Sequence, residues 1–301
     1  MPACEATVIP DVTVSIVNWN TRDELRECLN SVLSGVGAGF EIPPQHPRYE
    51  ILVVDNASPD GSADMVRTDF AGKATLIPNE KNRGFGAAHN QAIEHSSGRY
   101  VFFLNPDSRM LQPDLLCRMV TYMDANPDIG ALGPRILNPD GTLQFSARRF
   151  PPMFAGVFRH TILGRLFPKN RFVRGYLMTD NAHDATMDVD WLSGSALMVR
   201  REMLDGIGAF DERFFMYCED VDICKRAHNA GWRVVYYPEV EVSHRIGAAS
   251  DKNPIAMIKQ HHRSMLLYFL KHNARSPKIL LTPLVLAALW MRTRARVKLV
   301  R

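Results

Sequence analysis

Carboxylates recur where apolar runs stop. Tyr100-Val101-Phe102-Phe103-Leu104 leads into Asn105-Pro106-Asp107, Glu50-Ile51-Leu52-Val53-Val54 ends in Asp55, and the stretch from Phe210 to Cys218 ends in the adjacent pair Glu219 and Asp220. A short carboxylate in a turn stiffened by Pro106 is suited to hold a divalent cation against a diphosphate. The plainer alternative is an ordinary strand-to-helix turn with Asp107 exposed. Asp55, at a strand end, offers an acceptor for a ligand, or a cap on the following turn through Ser58 or Gly61.

These groups act together only if the chain brings them to one place, and its periodicities say how. The run 100–104 is apolar throughout and reads as a parallel strand buried on both faces. Val12-Thr13-Val14-Ser15-Ile16-Val17 reads as a first strand, ending at Asn18-Trp19-Asn20. Thr21 is expected to cap the next helix, with Asp23 and Glu24 in its first turn. Strands are expected over 50–55 and 74–77, followed by helices to Phe70 and over 87–96. A helix over 113–126 and a strand over 129–133 come next. Asn138-Pro139-Asp140-Gly141 predicts a hairpin between 135–137 and 142–144. The stretch 35–48 reads as a loop, and 145–188 as loops and short helices without clean periodicity. Beyond the segment 191–200, a helix runs to Ala230, where Gly231 stops it. A strand over 233–237 with an extension over 240–244, then a helix over 254–271, complete the order. Strands alternating with helices imply parallel pairing and a doubly wound sheet, in which ligands bind outside the carboxyl ends of the strands.

The 301 residues form one large domain or two small ones. Five scattered cysteines without a C-x-x-C pair argue against a disulfide framework or a zinc site and fit a reducing cytoplasm. No secretory signal is visible over residues 1–11. The net charge of +4 hides an asymmetry, because residues 271–301 carry eight Lys or Arg and no acid, leaving the remainder at −4. That excludes a nucleic-acid-binding face spread over the domain.

Asn18-Trp19-Asn20, the segment from Val53 to Ser62, Asn82-Arg83-Gly84-Phe85-Gly86, Leu104-Asn105-Pro106-Asp107 and the segment from Phe210 to Asp222 occur in that order. Together they resemble the motifs of the family-two inverting glycosyltransferases of GT-A fold, and within them the rhamnosyltransferases of cell-wall and O-antigen assembly. The resemblance covers about 12–244. It implies an α/β, Rossmann-like, mostly parallel sheet flanked by helices. The glycosyltransferase domain would span 1–250, with a nucleotide-sugar half to about 110 and an acceptor half from about 111, and helices would follow over 251–301.

The resemblance also implies roles. Asp55 would read the nucleobase, with Asn18, Asn20, Arg83, Gly84, Phe85, Asn105 and Asp107 around the donor. Asp107 matches the last residue of the D-x-D metal motif, but Asn105 replaces its first carboxylate. A Mg²⁺ or Mn²⁺ cofactor would then lean on diphosphate oxygens, waters and one more group. His244 fits that place by order, or is a satisfied surface histidine. Inversion needs a base opposite the leaving group. Asp220 matches the family's base and Glu219 the group orienting the acceptor, unless Asp220 merely opens the helix after it; Asp222 reads as structural. Trp191, Ser193 and Gly194 would line the sugar or acceptor pocket. His261, His262 and Arg263 read as a solvated helix face, with a diphosphate contact as the alternative. A nucleotidylyltransferase would need a Gly-rich phosphate loop after the first strand, which Asn18-Trp19-Asn20 does not offer; a non-catalytic nucleotide-sugar-binding protein is the other rival.

The expected partners are a nucleotide sugar, dTDP-rhamnose or alternatively a UDP-sugar, and a polyprenyl-diphosphate-linked or other saccharide acceptor. No nucleic acid is expected, and a homodimer is left open. Thr282-Pro283 is expected to open a last helix that is apolar over 284–291 and ends in Arg292, Arg294, Arg296, Lys298 and Arg301. Its apolar part is shorter than the roughly 20 residues that span a bilayer. The expectation is a basic, membrane-associating tail on the cytoplasmic face, the alternative being a helix packed on the domain or in a dimer.

Overall fold

Every residue of β1 (Val12–Asn18) and of β4 (Tyr100–Leu104) is buried, so both strands must be covered on two faces. In a computed structural model, which describes residues 10–37, 48–151, 171–247 and 252–300, they lie side by side, parallel, inside a 10-stranded sheet. Between them the chain runs through α1 (Arg22–Gly37), β2 (Tyr49–Asp55), α2 (Ser62–Asp69), β3 (Thr75–Pro78) and α3 (Phe85–Glu94). The order β3-β2-β1-β4 is parallel throughout and reverses direction across β1. Such a reversal opens a crevice at the carboxyl ends of the strands. Asn18 and Asp55 face each other there in register.

The second half supplies β5 (Ser108–Met110), α4 (Leu115–Ala125), β6 (Ile129–Leu137), β7 (Leu143–Gln144), β8 (Ala147–Arg148), α5 (Arg171–Leu177), β9 (Met187–Asp188), β10 (Trp191–Leu192), β11 (Ala196–Arg200), α6 (Arg201–Ile207), α7 (Glu219–Asn229) and β12 (Arg233–His244). The sheet is mostly parallel, as expected, with β11 and the short strands β5, β7 and β9 as the exceptions. The sheet continues from β4 as β11-β6-β12-β5, and β11 runs antiparallel to both of its neighbours. Its first residue, Ala196, lies opposite Leu104, so the turn that precedes β11 arrives at the carboxyl edge of β4. The residues 233–244 form one strand, with register shifts between Arg233 and Val234 and between Tyr237 and Glu241, instead of a strand and a separate extension.

The core follows from strand alternation. Tyr100, Phe102 and Leu104 pack with Leu25, Cys28 and Leu29 of α1 and with Leu115 and Met119 of α4. Val101 and Phe103 point to the opposite layer, with Met203 of α6 and Ile223 and Ala227 of α7. All five β4 side chains are inaccessible to solvent, and each aliphatic or aromatic one contributes roughly 1.5–3 kcal/mol through burial. The predicted hairpin is present, with Ile136 opposite Gln144 and Gly141 at φ +83° in its turn. Gly231, at φ +88°, ends α7 as expected.

Thr21 does not cap α1. Its hydroxyl donates to Asn18 Oδ1 at 2.7 Å, and the Arg22 N–H is instead received by Asp60 Oδ2 at 3.0 Å. The loop expected over 35–48 lies mostly outside the described residues, as does the part of the aperiodic segment over 152–170. After α8 (Pro254–Asn273), a 3₁₀ turn at Pro277–Leu281 leads into α9 (Thr282–Val300).

Candidate active site

The carboxyl edge of β1, β2 and β4 collects the sequence-predicted donor residues. Asp55 accepts from Asn18 Nδ2 at 2.8 Å and from the Ser58 N–H at 2.9 Å, so it caps the turn as the plainer reading held. Asn18 is fully buried, with both amide hydrogens and its oxygen engaged by Asp55, Ser58 and Thr21, so it holds Asp55 in place. Asn20, in the left-handed region at φ 59°, receives Lys252 Nζ on its carbonyl. Asn56 shapes the next loop: its Oδ1 accepts the Arg83 N–H at 3.3 Å and its Nδ2 donates to the Gly84 carbonyl at 3.3 Å. Arg83 is exposed, whereas Phe85 lies edge-on to His89 and Phe210.

Beyond β4, the chain turns at 105–107 and re-enters the sheet as β5, antiparallel to β12, with Ser108 opposite His244. That short strand was not legible in the sequence, and it brings Asp107 to His244. Asp107 Oδ1 and Asn105 Nδ2 each lie 3.3 Å from His244 Nε2. Asp107 Oδ1 and Asn105 Oδ1 are buried without a hydrogen-bond partner among the described residues. Buried oxygens left unpaired are costly, and a cation at this edge would satisfy them. Among the described residues no group of three or more His, Cys, Asp or Glu forms a metal cluster. One carboxylate, one imidazole and one amide nevertheless suit a cation that keeps water and phosphate oxygens in its shell.

The acids of α7 face the same edge from the other layer. Two successive non-glycine residues, Tyr217 at φ 70° and Cys218 at φ 69°, lead into Glu219, a conformation that costs on the order of 1–2 kcal/mol per residue. The turn is held from outside: Phe85 donates its N–H to the Phe215 carbonyl at 2.8 Å, and Ser264 Oγ donates to the Met216 carbonyl at 2.7 Å. Strain so supported is common where geometry serves a reaction. Asp220 keeps part of its surface accessible, accepting from the Gly194 N–H at 3.2 Å and from the Val221 N–H at 2.8 Å. Burial raises the Asp220 carboxyl above its ordinary range, against those two N–H groups and the positive Arg148. Glu219 is more deeply buried, and burial followed by the charge of Asp220 pushes it well up. Burial and, for Glu219, the neighbouring carboxylate thus disfavour ionising both acids together.

Asp222 is the structural acid of this segment, as expected. It is fully buried, with Arg226 at 2.9 Å, Lys271 at 2.7 Å and His272 at 2.8 Å. Burial works to raise its carboxyl, but His272, Lys271 and Arg226 together hold it below the usual range. Ser193 Oγ is 3.0 Å from Ser195 Oγ, and Trp191 is buried with its indole N–H donated to the Arg149 carbonyl. The trio on α8 divides: His261 lies edge-on to Tyr217, His262 is buried with Nδ1 at 2.6 Å from Thr293 Oγ1, and Arg263 is exposed.

Two residues of the site were missed in the sequence. Arg148 stacks 4.8 Å over the Trp191 ring and is anchored through Nε to the Phe145 carbonyl. Gln144 contacts His244 twice, at its carbonyl and at Nδ1. Both sit on two-residue strands at the border of the aperiodic segment, where nothing in the local pattern distinguishes a polar residue of the site from one of a loop.

Comparison with known proteins identifies the family and the fold. Residues 13–203 match the model of Glycosyl transferase family 2. The chain is 33% identical over 242 residues to the N-acetylglucosaminyl-diphospho-decaprenol L-rhamnosyltransferase of Mycobacterium tuberculosis, covering 77% of each protein. It is 29% identical over 169 residues to rhamnosyltransferase WbbL of Escherichia coli, covering 54% of this chain and 60% of that one. Among solved structures it is similar to the mannosyltransferase PcManGT of Pyrobaculum calidifontis, in complex with GDP-Man and Mn²⁺, with TM-score 0.58 and 22% identity over 94% of this chain and 70% of that one. A glycosyltransferase fold built by these residues, with a family match over most of its sheet, leads to one conclusion: the chain belongs to glycosyl transferase family 2 and is a glycosyltransferase of GT-A fold.

Proposed function

We propose that this enzyme transfers rhamnose from dTDP-rhamnose, with inversion, to a hydroxyl of a polyprenyl-diphosphate-linked saccharide in cell-wall or polysaccharide assembly. The mycobacterial relative, named for an L-rhamnosyltransferase acting on N-acetylglucosaminyl-diphospho-decaprenol, supports the donor and acceptor classes. The observation that carries the mechanism is the grip of the Gly194 and Val221 N–H groups on Asp220, at the edge where Asp55 and Asp107 also lie. Asp220 takes the acceptor proton as the hydroxyl oxygen bonds to the anomeric carbon. The bond from that carbon to the diphosphate oxygen breaks, and the nucleoside diphosphate leaves on the opposite side. Glu219, buried beside Asp220, orients the acceptor. Asp55 accepts from the nucleobase, and Arg83, Gly84 and Phe85 enclose the donor.

Asp107, His244 and the Asn105 amide would hold a Mg²⁺ or Mn²⁺ ion; bound there, the ion would neutralise charge on the departing diphosphate. Mn²⁺ in structural neighbours of the same fold supports that reading.

The C-terminal helices support work at a membrane surface. No helix among the described residues is long and apolar enough to cross a bilayer. Leu280, Leu284, Trp290 and Met291 are exposed on or beside α9, and Arg294, Arg296 and Lys298 follow them. An exposed apolar stretch ending in cations suits an anionic lipid surface. α8 joins this stretch to the site, through His262 to α9 and through Ser264, Lys271 and His272 to the segment 216–222. The lipid-linked acceptor would then meet Asp220 close to the bilayer.

The reading is tested by nucleoside diphosphate release from dTDP-, UDP- and GDP-sugars with a polyprenyl-diphosphate-GlcNAc acceptor, and by NMR of the product anomer. Acceptor-dependent release from dTDP-rhamnose alone, with inverted configuration, supports it. Preference for another donor, or retention, overturns it.

A further inference from the structure

We propose that Gln144 is the positioning residue that turns His244 into a cation ligand, by fixing which ring nitrogen carries the proton. The role rests on the metal-assisted reading given above. Gln144 reaches His244 at two points. Its Nε2 donates to the His244 carbonyl at 2.5 Å, and its Oε1 lies 3.0 Å from His244 Nδ1. The first bond decides the second. With the amide nitrogen committed to a carbonyl, which only accepts, the atom facing Nδ1 is the amide oxygen, which also only accepts. His244 Nδ1 must therefore be the donor, and in the neutral ring the lone pair is left on Nε2.

That lone pair points where a ligand is wanted. Nε2 lies 3.3 Å from Asp107 Oδ1 and 3.3 Å from Asn105 Nδ2. Asp107 Oδ1 and Asn105 Oδ1 are both buried and without a hydrogen-bond partner among the described residues. Asn105 Nδ2, which only donates, gives that lone pair one N–H, but the Asp107 and Asn105 oxygens beside it gain no partner from this contact, and a cation there would serve them together with Nε2. In metal sites, ligating histidines commonly donate their second nitrogen to an acceptor that sets tautomer and ring angle. The acceptor here is an amide brought in by the tight turn at Asn138-Pro139-Asp140-Gly141. In that turn Asn138 donates its N–H to the Thr142 carbonyl at 2.7 Å, and β7 then pairs Gln144 with Ile136. The hairpin thus does more than extend the sheet: it delivers a side chain that holds His244 at both its carbonyl and its ring.

The test uses the full-length enzyme, Gln144→Leu and Gln144→Glu. Nitrogen-15 NMR of the histidine ring reports the tautomer, and electron paramagnetic resonance of a Mn²⁺ titration without nucleotide reports the affinity of the metal alone. The wild type is expected to show the Nδ1–H form. Gln144→Leu should lose that form and weaken Mn²⁺ binding by about 10–100-fold. Gln144→Glu, which keeps an acceptor for Nδ1–H, should restore the tautomer and most of the affinity. A purely structural Gln144 would leave tautomer and affinity unmoved in any folded variant. An Nε2–H form in the wild type, or unchanged Mn²⁺ affinity in Gln144→Leu, overturns the proposal while leaving the metal reading intact. If Gln144→Leu does not fold, the wild-type tautomer and Gln144→Glu still decide the matter. No Mn²⁺ binding by a wild type that shows the Nδ1–H form overturns the metal reading, and this role with it.

Discussion

Gly84 is where the donor loop meets the turn carrying the acids, and replacing it should separate the two. Gly84 sits at φ 90° and ψ 172°, just ahead of α3, a region that is essentially restricted to glycine. A Cβ built there would overlap the Phe215 carbonyl oxygen and lie 2.9 Å from Phe215 Cδ2. The backbone strain is on the order of 1–3 kcal/mol, and overpacking against backbone adds about 1–3 kcal/mol. The lower entropy of the unfolded alanine chain returns about 0.4–1 kcal/mol, so Gly84→Ala should cost about 3 kcal/mol. Gly61→Ala is the control, because Gly61 has φ +79° but nothing within 4 Å of the added carbon. It should cost only about 1 kcal/mol. At about 2–4 °C per kcal/mol for a domain of this size, calorimetry should show a melting point about 6–12 °C lower for Gly84→Ala and at most about 4 °C lower for Gly61→Ala. Because the Phe85 N–H and the Phe215 carbonyl are bonded across this contact, Gly84→Ala should also reduce turnover. Equal destabilisation by the two substitutions would refute the reasoning, since it would mean that the donor loop and the acid turn do not touch.

Three further outcomes follow from the site and the tail. Asp222→Asn removes a buried carboxylate from Arg226 and Lys271, and denaturant unfolding should show a loss of about 3 kcal/mol; less than 1 kcal/mol would mean that these ion pairs do not support the acid turn. The Asp222 carboxyl is held below its unfolded value, so the stability it contributes is present above the unfolded pKa of about 3.9 and lost as pH falls through the folded value. Turnover has a different origin, because the base must be ionised and burial raises the pair Glu219 and Asp220; kcat should therefore fall on the acid side at a pH above the ordinary carboxylate range, and a profile flat down to pH 4 would contradict that. Trp290→Ser combined with Arg294→Ser should abolish flotation with vesicles rich in anionic lipid while leaving turnover on a soluble acceptor analogue unchanged; equal flotation by wild type and variant would remove the membrane role from α9.

Much of this site could be read from the chain because its positions are set by local signals. A short unbroken run of β-formers such as Tyr100–Leu104 reads as a doubly covered strand, and a carboxylate at its end then faces the ligand edge. The hairpin at 138–141 and the stop at Gly231 likewise depend on a few residues with fixed backbone demands. What could not be read depends on partners distant in sequence. β5 is three residues long and exists through pairing with β12, more than a hundred residues away. The antiparallel course of β11 is a property of its neighbours β4 and β6, not of Ala196–Arg200 itself. Thr21 has the composition of a cap, but Asn18 claims its hydroxyl and Asp60 takes the helix N–H. Nothing near Tyr217 and Cys218 signals the left-handed backbone that Phe85 and Ser264 impose from two other elements.

The central claim, that Asp220 is the base of a sugar transfer onto a lipid-linked hydroxyl, is tested most directly by single-turnover transfer from dTDP-rhamnose to polyprenyl-diphosphate-GlcNAc with wild type and Asp220→Asn. The amide keeps the size of the carboxylate and an acceptor for one of the two N–H groups, so folding and donor binding should survive. The account predicts that the chemical step slows by about 10²–10⁴-fold with little change in donor affinity. Transfer by Asp220→Asn at the wild-type rate would contradict it.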